Sequence, residues 1–150
     1  MSGAQRSALI VAVSEHTSKN VPKLARTTID VEKLKGALLE LGWTVEMAVD
    51  FGLKQTKKKI KEFAFCRAKY SGGDCLFAFV GHGVELNGRK YLVAADSEFD
   101  LTYESEATFE KTVKRGCLPF DEVQGEFKNA RGSSAGVMYP ESDPSAPILL

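Results

Sequence analysis

His82 stands between two glycines at the end of the apolar run Cys75-Leu76-Phe77-Ala78-Phe79-Val80. Six apolar or aromatic residues in a row, opened by Gly72-Gly73-Asp74 and closed by Gly81, read as a short strand buried on both faces, as in a parallel sheet. In open α/β sheets, ligands and catalysis collect just beyond the carboxyl ends of the strands, where a working imidazole would be placed. Gly81 and Gly83 lack Cβ, so they permit φ > 0 and let a substrate carbonyl come close, leaving the Gly83 amide to donate to an oxyanion. A histidine in an ordinary Gly-rich turn would leave the same three residues in the sequence. The elements around it must separate the two readings.

Ala8-Leu9-Ile10-Val11-Ala12-Val13 is a second continuous apolar run and reads as the first parallel strand. A loop follows from Val21 to Thr28, and Asp30 is placed as the N-cap of a helix with Val31, Leu34, Leu38 and Leu41 on one side. Gly42 supplies its left-handed end, and Trp43 to Val49 is the next strand. Gly52 to Tyr70 reads as a second helix whose lysines form a solvated face. After His82, the Asn87-Gly88 pair between two alternating runs, Val84 to Val93, signals a hairpin. The acidic stretch from Ser97 to Glu110 shows no period and is expected to be an exposed loop. Pro119 opens a further helix carrying Phe120, Val123 and Phe127, and Ala135 to Tyr139 is a partial strand before an irregular tail. Strand, helix, strand, helix, strand, hairpin, helix and partial strand wind into an α/β domain, a mostly parallel sheet with helices on both faces.

Composition excludes several classes. Twenty basic and twenty acidic residues balance to zero formal charge, which argues against nucleic acid or an anionic membrane as partner. No run approaches the length of a membrane span. Three cysteines, odd in number and without a CxxC, favour a reducing compartment, so a cytoplasmic location is expected; no metal or cofactor site is expected either.

From about Ala8 to Ala130 the chain resembles the large-subunit (p20) domain of the caspase-like cysteine peptidases, the group that includes metacaspases and paracaspases. The resemblance rests on the apolar first strand, on Asp30-Val31 leading through Leu34 and Leu38 to Leu41-Gly42-Trp43, on Phe77-Ala78-Phe79-Val80-Gly81-His82-Gly83, and on the hairpin followed by Tyr91-Leu92-Val93-Ala94-Ala95-Asp96. It implies a three-layer caspase-like domain over residues 8–139, with an N-terminal extension (1–7), a C-terminal tail (140–150), and a sheet left incomplete at its C-terminal edge. It also implies cysteine endopeptidase chemistry. A thiolate attacks the scissile carbonyl, His82 protonates the leaving amine, and the Gly83 amide helps hold the oxyanion. Arg26, four residues before Asp30, is similar in placement to the arginine that reads an acidic P1 side chain, although a surface arginine in a polar loop fits the position as well. The partners implied are a peptide or protein substrate and a homologous peptidase chain or small subunit.

The family's nucleophile follows about 50 residues after its histidine, at the end of an apolar strand. Here that strand is Ala135 to Tyr139, and Pro140-Glu141-Ser142 follows it with no cysteine anywhere after Cys117. Cys75 lies at the far end of its strand from His82, Cys117 precedes a helix, and Ser142 lacks a strand end to activate it. The expectation is a peptidase domain inactive as this chain, or alternatively a pseudo-peptidase or truncated domain that binds peptides or regulates a homologous peptidase.

Overall fold

The computed structural model describes residues 5–19, 21, 23–66, 73–98 and 106–128, with residue 106 and the strand 134–140 described by backbone alone. In chain order the elements are β1 (Ser7–Ala12), α1 (Thr27–Glu40), β2 (Thr44–Val49), α2 (Leu53–Phe63), β3 (Cys75–Gly81), β4 (Gly83–Leu86), β5 (Arg89–Val93), α3 (Glu106–Gly116), β6 (Cys117–Pro119), α4 (Phe120–Glu126) and β7 (Ser134–Pro140).

β1 is buried along its whole length, and alternate side chains serve different layers. Leu9 and Val11, continued by Val13, pack with Phe77, Phe79, Ile60, Phe63, Val123 and Phe127, so α2 and α4 cover that face. Ala8, Ile10 and Ala12 pack with Ala78, Val80, Val31 and Leu38, which places α1 on the other. A strand covered on both sides has no polar face to offer, which is why β1 and β3 are unbroken apolar runs. The main sheet runs β2-β1-β3-β7 with every pair parallel, Ala12 opposite both Val49 and Val80, and Gly81 opposite Pro140. The result is the mixed α/β, layered architecture expected from the sequence.

β4, β5 and β6 form a second, antiparallel sheet. Leu92 and Leu118 on one of its faces join the main core, while Tyr91, Val93 and Cys117 on the other pack against Val113 of α3. The Asn-Gly hairpin is present. Asn87 and Gly88 take φ of 52° and 78°, the left-handed pair that a tight hairpin turn requires. Gly42, at φ 83°, ends α1 as expected.

Several boundaries differ from the sequence expectation. α1 begins at Thr27 because Arg26, with helical dihedrals, already accepts the Asp30 N–H through its carbonyl at 3.0 Å; Asp30 is a first-turn acid and not the N-cap. The second helix is α-helical from Leu53 to Phe63 and continues as a π turn over 64–66, and the last part of the expected span, 67–70, lies outside the described residues. The stretch expected to be a loop contains α3 from Glu106 onward. Phe109 and Val113, four residues apart, are the apolar contacts that order it, too few to stand out against its charged neighbours. Residues 99–105 of that stretch lie outside the described residues, as does the tail from 141. β6 was not expected, since three residues are too few to show a period.

Candidate active site

Three parallel strands deliver their following residues to one edge of the main sheet. Beyond β1 come Ser14, Glu15 and His16, beyond β2 comes Asp50, and beyond β3 come His82 and Gly83. Asp50 takes a left-handed φ of 56° and donates its N–H to the Ala12 carbonyl at 2.8 Å. That bend turns its carboxylate toward β1, where Oδ1 accepts the Ser14 N–H at 2.8 Å and the Glu15 N–H at 3.1 Å. On the other side the Thr17 N–H donates to the Ala95 carbonyl at 2.9 Å. The backbone on either side of His16 is therefore tied to β2 and to the end of β5.

So held, the His16 ring lies against that of His82, with centroids 5.2 Å apart and planes inclined at 57°. They are the two histidines of the chain. Both nitrogens of His16 are buried without a hydrogen-bond partner among the described residues. Burial and the neighbouring His82 hold the His16 pKa below its ordinary value, and the Asp50 carboxylate opposes them in part.

His82 is at the carboxyl edge, as its strand position implies, but it is not the partly exposed imidazole that a cleft residue would be. It is 7% exposed, with His16 against it. Its carbonyl accepts the Val93 N–H at 3.1 Å, which anchors the hairpin beside it. Bonded and non-bonded pairs alternate along an antiparallel ladder, so Gly83, opposite Leu92, turns its N–H away from β5. Gly81 is required by space, because a Cβ there would come within 2.9 Å of the Phe79 ring and 3.2 Å of the Val13 carbonyl oxygen. Arg26 is exposed at the first turn of α1, which starts from this same edge.

None of the described cysteines adjoins the imidazole. Cys75 opens β3, a strand length of roughly 20 Å from His82. Cys66 is exposed just beyond α2, a helix that starts from the edge bearing His82 and runs back across the sheet. Cys117 is opposite Val93, whose own neighbour is His82, so two strand spacings, about 10 Å, lie between them. Its thiol points into the α3 cluster and toward Ser97 Oγ at 3.9 Å, and burial pushes its pKa up to about 11 despite that contact. The sequence places Cys117 before a helix, where thiolate is favoured; burial outweighs that effect. Ser142 lies outside the described residues. Among the described residues no cluster of three or more His, Cys, Asp or Glu side chains could hold a metal ion, and no helix is long and apolar enough to cross a membrane.

His16 and Asp50 are the site residues that sequence reasoning missed. Their only signal was position, each within a few residues of the carboxyl end of a strand.

A family model described as the caspase domain matches residues 5–129. The chain belongs to the caspase domain family. Among solved structures it is similar to the Drosophila initiator caspase Dronc, with a TM-score of 0.62 and 10% identity. That match covers 87% of this chain and 47% of the Dronc chain, so this caspase domain spans about half the length of the solved protein. At that identity the likeness is one of fold. No curated protein matches the chain.

Proposed function

We propose that the chain is the histidine-bearing part of a caspase-type cysteine endopeptidase domain, spanning residues 8–139, and that it does not hydrolyse peptide bonds unless further polypeptide supplies a thiol beside His82. The observation that carries this is the register of β7. It runs parallel to β3 and brings Pro140 level with Gly81, the residue before His82, and after Pro140 the sequence reads Glu-Ser instead of cysteine. Cys117, the nearest thiol in the fold, remains protonated at neutral pH.

Placement at the edge supports the roles that the family resemblance implies. His82 accepts the proton of a thiol brought to the end of β7 and returns it to the leaving amine, and the Gly83 N–H, turned away from β5, donates to the oxyanion. Arg26, exposed on the same edge, pairs with a substrate carboxylate. The ligands are peptides or proteins, the partner a homologous peptidase chain or small subunit, and the location cytoplasmic. A second reading, a pseudo-peptidase that regulates a homologous chain, is favoured by the burial of His82 against His16.

Steady-state turnover of fluorogenic peptides with Asp or Arg at P1 tests the main reading. The chain alone is expected to show none above background. Turnover that His82→Ala abolishes would mean that a nucleophile is already present.

A further inference from the structure

His16 is more than a neighbour of His82. Its ring lies against the imidazole that the proposed chemistry needs, while its own two nitrogens are buried with no hydrogen-bond partner among the described residues. A buried polar atom without a partner weighs against the conformation that buries it, and turning the ring into water would satisfy both nitrogens at once. The backbone that carries the ring cannot follow easily, because Ser14 and Glu15 are bonded to Asp50 and Thr17 to Ala95. The side chain can rotate on a fixed hinge.

We infer that His16 is a side-chain gate on His82: packed inward it shields the imidazole from water and substrate, and swung outward it opens the carboxyl edge of the sheet. The gate regulates the site proposed above and rests on His82 being its working group. Protonation favours opening. Burial and the neighbouring His82 both disfavour the charged form of the His16 ring, so the inward form holds the neutral ring more readily than the charged one. The charged groups around the pair set the balance. Asp50, from the end of β2, attracts a proton to His16, and Glu15 beside it is ion-paired with Lys23 at 2.8 Å. Asp96, from the β5 side, has its carboxylate engaged with the Leu53 N–H at 2.8 Å.

With only two histidines in the chain, each can be followed separately. Carbethoxylation of the intact chain at neutral pH, resolved by peptide mass spectrometry, reads access to His82 without any need for turnover. An inward form that leaves an open minor state at about 10% or less predicts that His16→Ala speeds modification of His82 about tenfold or more. His16→Asn, which keeps a polar group on the same hinge, should do likewise. An unchanged rate in both variants would overturn the gate.

NMR titration of the unmodified chain provides a reading that does not depend on the variants folding. The His16 ring should titrate below the ordinary imidazole range. Relaxation of the His82 ring by a soluble paramagnet should rise as His16 takes up its proton. A His82 ring equally shielded across the His16 titration would overturn the gate. A gate that opens on a chain inert even when a thiol is supplied would leave the gating intact and refute the peptidase reading instead.

Discussion

Replacing Asp50 separates two effects that the structure superimposes at one residue. Its carboxylate accepts the Ser14 and Glu15 N–H groups, and its backbone sits at φ 56°, where a side chain without local hydrogen bonding is disfavoured. Each bond to a charged acceptor contributes about 1.5–3 kcal/mol when desolvated. Glu15 is exposed and its N–H can turn to water, so the bond from half-buried Ser14 dominates. The left-handed conformation adds roughly 1–2 kcal/mol for alanine. Asp50→Ala should therefore lose about 3 kcal/mol. Asp50→Asn keeps an acceptor and tolerates the backbone, so about 1 kcal/mol is expected, the difference between a charged and a neutral hydrogen bond. Asp50→Gly loses the bonds but relieves the backbone and should fall between the two. Urea unfolding at neutral pH ranks the three, provided that the slopes agree. An alanine variant as stable as the parent, or an asparagine variant as damaged as the alanine one, would refute the assignment of Asp50 as the tie between β2 and the His16 segment.

Other consequences are open to simpler assays. Because the folded state holds the His16 pKa below its ordinary 6.5, the unfolded chain binds the extra proton. The stability this gives is complete above that value and is lost as pH falls below it, a slope that His16→Phe should flatten in acid unfolding curves. A thiol-specific reagent at neutral pH should modify exposed Cys66 first. With its pKa near 11 against an ordinary 9.0, Cys117 should react about a hundredfold more slowly on thiolate fraction alone, and faster only on unfolding. Two glycine replacements should have opposite signs. Gly52→Ala would set a Cβ 2.6 Å from Asp96 Oδ2 and dislodge the carboxylate that caps α2, costing about 1 kcal/mol. Gly36→Ala, in the middle of α1 with nothing within 4 Å, should gain about 0.5–1 kcal/mol in thermal or urea unfolding.

What could be read from the sequence followed from how much each feature owes to local pattern. β1 and β3 are legible because burial on two faces leaves an unbroken apolar run, and the hairpin because Asn87-Gly88 answers a strict backbone demand. From the apolar run alone His82 could be placed at a carboxyl edge. Its burial could not be foreseen, since the residue against it is 66 positions away in sequence and is brought there only by the parallel pairing of β1 with β3. Asp50 gives no pattern at all; its role arises from a left-handed backbone that shows only in the fold. α3 was hidden for a related reason. Two apolar residues among charges suffice to dock a helix on a sheet already folded, but they do not announce one.

The central claim, an imidazole in place without its thiol, can be tested most directly by covalent trapping. The purified chain would be incubated with acyloxymethyl ketone peptides bearing Asp or Arg at P1, and its intact mass recorded. A chain with no cysteine beside His82 should keep its unmodified mass, and Cys117, protonated and buried, should not take up the label. A stoichiometric adduct that forms on the parent chain and disappears in His82→Ala would contradict the claim, since it would require a nucleophile already paired with that histidine.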